Sequence, residues 1–133
     1  PIIQAATTKT LALSDSGRTI WLDLDTPGAH TTVTLPDAES ATNTSATYKF
    51  KVIKNDNSPY DFILVSGGGQ FRGGVLHADG DASTTAIVET YETYDAVTTI
   101  TFEDADTGSH YEVVAFNSKW YISGVHNSTV IPS

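Results

Sequence analysis

Carboxylates supply most of the chemistry this sequence has to offer. Asp23 and Asp25 stand two residues apart, the spacing that puts both side chains on one face of a β-strand. Such a pair offers oxygen ligands to a sugar or a metal. Glycosidase carboxylates, however, face one another across a cleft and usually come from different elements, so a solvated outer strand face is the plainer reading. Asp104-Ala105-Asp106-Thr107-Gly108 has the look of a calcium loop. The EF-hand pattern puts glycine sixth and glutamate twelfth; counted from Asp104, Gly108 is fifth and Glu112 ninth. Only some other calcium geometry would fit. Asp79 and Asp81 meet the same objection.

His30, His77, His110 and His126 never fall at the spacing of metal ligands, and no HExxH is present. The glycines of residues 66–74, Ser-Gly-Gly-Gly-Gln-Phe-Arg-Gly-Gly, invite a phosphate-loop reading. A Walker loop needs GK[ST] opening a helix, and a dinucleotide loop needs GxGxxG between strand and helix. Arg72 is the only cation between these glycines and no helical pattern follows, so a flexible, bulged hairpin is expected here. GxSxG is absent, which removes the nucleophile elbow. Asn43-Thr44-Ser45 and Asn127-Ser128-Thr129 are formal glycosylation sequons without a secretory signal beside them. The expectation is a non-enzymatic protein that needs no cofactor and no metal.

The elements that would carry these groups are strands. Residues 110–124 read as a terminal β-hairpin: Tyr111, Val113 and Ala115 alternate with Glu112, Val114 and Phe116. Asn117-Ser118-Lys119 breaks the run with turn-forming residues, and Trp120 and Ile122 resume it. Aromatics bury the most apolar area per residue, so this hairpin should be a core element. Earlier strands are expected at residues 9–13 (Leu11 and Leu13 on one face), 18–24 (Ile20, Leu22 and Leu24 inward, Trp21 outward), 31–35 and 47–54. Residues 61–65 read as a strand buried on both faces. Residues 37–46 read as a surface loop with room for one helical turn. Residues 75–77, 86–88 and 97–102 complete the strands, with Glu89 to Asp95 between the last two. Leu22, Val33, Tyr48, Phe50, Phe62, Phe102, Val113 and Trp120 are the expected core.

Short strands at 8 to 12-residue spacing argue an all-β fold: a single-domain antiparallel β-sandwich or β-barrel. No solenoid-type repeat is visible. Residues 1–8 form a candidate N-terminal arm, 9–126 the β-domain and 127–133 a C-terminal tail. The tail ends hold branched apolar pairs, Ile2-Ile3 and Val130-Ile131, which solvated tails have little use for. Pro1, Ile2, Ile3, Gln4, Val130 and Ile131 are therefore the candidate partner interface, by strand addition to a neighbour's sheet edge. The net charge of −9 repels phosphate backbones, so no nucleic acid partner is expected. No apolar run approaches membrane-spanning length, and there is no cysteine to form a disulfide. No signal-peptide pattern opens the chain, and Pro1 fits removal of an initiator Met from a cytosolic product and, equally, a processed end.

Three stretches together carry a family resemblance. Leu11 to Ile20 contains Ser14-Asp15-Ser16-Gly17-Arg18-Thr19 and is followed by a strand ending Val33-Thr34-Leu35-Pro36. Tyr48-Lys49-Phe50-Lys51-Val52-Ile53 comes next, with Gly73-Gly74 later. Lys119-Trp120-Tyr121-Ile122-Ser123-Gly124 closes the domain. In this order they resemble small β-domain virion proteins of tailed bacteriophages, the capsid decoration or cement proteins. The resemblance implies a subunit, often a homotrimer, made in the host cytoplasm and bound to the capsid exterior where major capsid subunits meet. Similar modules occur on tail and fibre proteins, which makes a receptor- or glycan-binding β-domain the alternative. That reading needs exposed aromatics over a polar groove, with Trp21, Tyr91 and Tyr94 as candidates. A small glycan hydrolase using some of Asp23, Asp25, Asp104 and Asp106 is the third.

Overall fold

A computed structural model describes residues 2–4, 6–55, 60–78 and 89–128. Among the described residues, eleven strands form two sheets packed face to face, with one short α-helix between the fourth and fifth strands. The strands are β1 (Ile2–Gln4), β2 (Thr8–Thr10), β3 (Thr19–Asp23), β4 (Thr31–Thr34), β5 (Thr47–Lys54) and β6 (Phe62–Val65). They continue as β7 (Phe71–Ala78), β8 (Glu89–Val97), β9 (Thr99–Phe102), β10 (His110–Phe116) and β11 (Lys119–Asn127). Helix α1 is Ala38–Thr42, started by the Asp37 carboxylate accepting from the Glu39 N–H.

The all-β sandwich is as expected; its strand directions are not. The larger sheet runs β1-β3-β5-β10-β11-β7-β8 and the smaller β2-β4-β6-β9. Each keeps two separate edges, so the fold is not a closed barrel. Both sheets are mixed rather than antiparallel. From β1 to β6 each strand lies in the opposite sheet from the last, so the chain crosses over, reverses, and comes back running the way it began. That winding makes β1–β3, β3–β5, β2–β4 and β4–β6 parallel, and β7–β11 is parallel as well. The remaining pairs, β5–β10, β10–β11, β7–β8 and β6–β9, are antiparallel. The winding has no repeat in the sequence behind it.

The terminal hairpin is central. β10 and β11 insert between β5 and β7, joining the wound strands to the β7–β8 pair. Asn117 and Ser118 turn it with φ of 51° and 60°, the left-handed pair a two-residue type I′ turn requires. All eight expected core residues are at most 1% exposed. Phe62 sits between Phe50 and Phe102 (centroids 5.3 and 5.6 Å), and Phe102 stacks on Tyr111 at 3.9 Å. Trp120 packs on Tyr48, and its indole N–H is shared between the Pro36 and Ser66 carbonyls, both at 3.2 Å. The hairpin is thereby tied to two of the connections that cross the sandwich, β4 to β5 and β6 to β7.

Several local expectations need correction. Strand β2 stops at Thr10, and Leu13 enters a 3₁₀ turn (Leu13–Asp15), where it is 39% exposed. Ile63 and Val65 of β6 are only half-buried, because the outer face of the smaller sheet has no layer over it among the described residues. Glu89 to Asp95, polar by composition, belongs to an edge strand, where outward charges cost little. Residues 97–102 split between β8 and β9, which lie in different sheets, after Ala96 at φ 64°. The glycine-rich stretch is no flexible hairpin: it connects β6 to β7 across the sandwich and is closely packed. Gly67 has φ 67°, and a Cβ there would collide with the Leu35 carbonyl. The strand expected at residues 86–88 lies outside the described residues.

Candidate functional site

Strand alternation sends every second residue of the larger sheet to its outer face, and register brings those residues into rows. One row runs Trp21, Lys51, His110, Val125, Leu76 and Tyr91. The next runs Thr19, Lys49, Glu112 and Ser123. A third runs Thr47, Val114, Tyr121, Arg72 and Asp95. A groove of about 370 Å³ lies across the first two, lined by Thr19, Lys49, Lys51, His110, Glu112 and Ser123. Gly124 floors it: with φ 144°, a Cβ here would strike the His110–Tyr111 backbone.

The face is charged and aromatic at once. Lys49, Lys51, Arg72 and Lys119 are four of the chain's seven basic residues and all stand on it by register. Lys49 reaches Glu112 at 3.9 Å, and Arg72 is paired with Asp95. Such exposed pairs contribute little stability, so these side chains can exchange partners cheaply. Trp21, Tyr121, Phe116 and Tyr91 are 39, 39, 66 and 61% exposed, and Phe116 meets Tyr121 edge to face at 6.0 Å. Together these groups supply donors for carboxylates or hydroxyls, beside flat rings that can be buried by a partner.

The residues singled out in the sequence are dispersed. Ile2 to Gln4 pairs in parallel with β3 as the edge of the chain's own sheet. Ile2 packs against the core, and Gln4, 5% exposed, donates its amide to the Ala6 and Thr8 carbonyls. Pro1, Val130, Ile131 and the side chain of Ile3 lie outside the described residues, as do Asp79 and Asp81. Trp21 and Tyr91 are exposed as the glycan-binding reading needs; Tyr94 is not, at 8%. Its hydroxyl is held protonated by burial and by Glu92.

Asp23 does not converge with Asp25 on a ligand. Its slight burial disfavours charge, but Thr26 Oγ1 and the Thr26 and Asp25 N–H groups donate to it, and with Lys54 they hold the carboxyl below its ordinary value. It is a turn-stabilising group. Asp104 and Asp106 are both pushed up: Asp104 by burial and then Asp61, Asp106 by burial and then Asp104. The Asp104 N–H donates to Asp61 Oδ1 at 2.9 Å. Among the described residues no group of three or more His, Asp or Glu is placed to hold a metal. Nor is any helix among them long and apolar enough to cross a membrane. His77 and His126 are buried: His77 Nε2 meets the Ser128 carbonyl at 2.6 Å, and Tyr111 Oη meets His126 Nδ1 at 2.7 Å.

Sequence reasoning identified Trp21 as outward-facing but did not place it in one row with Lys51 and His110. The missing information was the pairing of β5 with β10, which no local pattern encodes. No protein family, curated protein sequence or solved structure matches this chain.

Proposed function

We propose that the protein is a decoration subunit of a tailed-phage head, acting as a homotrimer that docks on major capsid subunits through the outer face of its larger sheet. The observation that carries this reading is the makeup of that face. A chain of net charge −9 gathers four of its seven cations on one sheet, among exposed aromatic rings. Aromatics and arginine are the residues enriched at the centres of protein interfaces. Charge gathered on one face of an otherwise acidic molecule orients its approach to a partner. The sequence resemblance points to the same role. Binding only the assembled lattice would stabilise it by mass action, and three such faces on one trimer would add by avidity. The site of action is then the capsid exterior, after synthesis in the host cytoplasm. Adding the protein to capsids that lack it should raise their melting temperature, and Lys51→Glu should remove most of that gain. Capsids that melt at the same temperature with and without the wild-type protein would refute the reading.

The groove beside Trp21 favours the second reading, a tail- or fibre-associated domain that binds a receptor or glycan. Trp120 is fully buried while Trp21 is 39% exposed, so a ligand in the groove should alter only the Trp21 fluorescence. Saturable quenching by glycans, lost in Trp21→Phe, would favour this alternative.

A further inference from the structure

Lys51 of β5 and His110 of β10 stand directly opposite one another across an antiparallel pair. Both are exposed, and both line the groove of about 370 Å³. Cross-strand partners lie roughly 5 Å apart at Cβ, close enough for like charges to repel. Lys49, in the next rank, has a carboxylate partner in Glu112 at 3.9 Å. Lys51 and His110 have none: among the described residues neither side chain makes an ion pair or a hydrogen bond. The chain holds 16 acidic residues to 7 basic ones, yet no described carboxylate reaches this pair. An anion seated between the two would accept from both and remove their repulsion.

The rest of the groove narrows the kind of anion. Thr19 and Ser123 line it with hydroxyls and Glu112 with a carboxylate. An ionised carboxylate only accepts hydrogen bonds, so Glu112 favours a ligand that also donates. An acidic side chain brings acceptors and no donor. A sugar acid brings a carboxylate and several hydroxyls on one small ring. Trp21 continues the row beyond Lys51 and is 39% exposed, a flat apolar surface against which the C–H face of a sugar ring can lie. The volume is at the small end of ligand sites, about 300–1,000 Å³, room for one or two such rings.

We propose that the groove binds an acidic saccharide, a uronic or sialic acid residue of a glycan. Its carboxylate lies between Lys51 and His110, its hydroxyls meet Glu112, Thr19 and Ser123, and the neighbouring ring covers Trp21. This rests on the glycan-binding reading and adds to it the charge of the sugar. The net charge of −9 repels an acidic chain from the other faces, which confines binding to the groove.

The test is a titration of Trp21 fluorescence with two matched sets: trigalacturonate against its methyl ester, and sialyllactose against lactose. At least one acidic member should quench saturably and bind at least about tenfold more tightly than its neutral counterpart. That preference should fall as salt is raised. Lys51→Gln and His110→Gln should each reduce it several-fold with the melting temperature unchanged, and either variant alone carries this arm if the other does not fold. Tetraglutamate should not compete. Acidic and neutral sugars that bind alike would overturn the proposal and leave the glycan reading standing. An acid preference that persists in the folded variants would also overturn it. So would competition by tetraglutamate as strong as by the sugars, which would mark the groove as a site for an acidic peptide. Quenching by none of the four sugars would remove the proposal and the glycan reading together.

Discussion

Between Ile2 and Val65 every strand lies in the opposite sheet from the one before it, whereas β10 and β11 lie side by side, joined by two residues. The wound region makes all its pairings at a distance: Ile20 of β3 meets Phe50 of β5, and Val33 of β4 meets Leu64 of β6. The hairpin sets its own register through its turn. Loop-closure entropy must be met before distant pairings are rewarded, so the wound region needs something already formed to close upon. The hairpin fills that role, because β5 pairs with β10 and Trp120 holds the connections at Pro36 and Ser66.

If that division is right, damage to the hairpin should be felt everywhere. Trp120→Ala should cost about 3–5 kcal/mol, the usual range for a buried aromatic, as measured by urea unfolding. A loss below about 1 kcal/mol would make the hairpin peripheral. Damage to one crossing should be smaller. Gly67→Ala forces a left-handed backbone on alanine and a collision with the Leu35 carbonyl, for about 1–3 kcal/mol. Hydrogen exchange should show that loss concentrated in β4, β6 and β7; an equal loss in β10 and β11 would erase the distinction between the regions.

The turn offers a change of opposite sign. Ser118 holds φ 60°, a conformation glycine adopts without penalty. Ser118→Gly should stabilise the protein by about 0.5–1 kcal/mol and chiefly speed folding, as expected if the hairpin forms early. Gain appearing only as slower unfolding would place the hairpin late.

The smallest effect concerns the joint between the regions, where Asp104, ahead of the hairpin, meets Asp61, ahead of β6. Burial and then the Asp61 charge raise the Asp104 pKa. A raised carboxyl favours the fold when protonated, so its contribution is full below the ordinary carboxylate range and is lost as pH rises through the raised value. Asp104→Asn should therefore stabilise the protein at pH 7, by less than about 1 kcal/mol for a group this accessible. The advantage should shrink towards about pH 4. A variant less stable than wild type at pH 7 would contradict that sign.

The same contrast explains what could be read in advance. Alternation and turn residues located most strands, including the whole of 110–124, since a hairpin's partner is its neighbour. They placed Tyr48, Phe50 and Trp120 in the core because their faces follow from parity alone. They did not reveal that β3 and β5 run parallel, because a chain that changes sheet leaves no local mark. The candidate site was missed for the same reason: Lys51 and His110 are 59 residues apart in the sequence and meet only through register. Glu89 to Asp95 was hidden by its charges, which an edge strand tolerates and a central one would not.

The central functional claim is that the larger sheet's outer face docks on a capsid. Co-sedimentation with tailed-phage heads that lack a decoration protein tests it most directly. Wild-type protein should saturate the heads, and the Trp21→Ala, Lys51→Glu double variant should bind at least about tenfold more weakly, a change of about 1.4 kcal/mol, with its melting temperature unchanged. Heads that bind no wild-type protein, or that bind both proteins alike, would contradict the account.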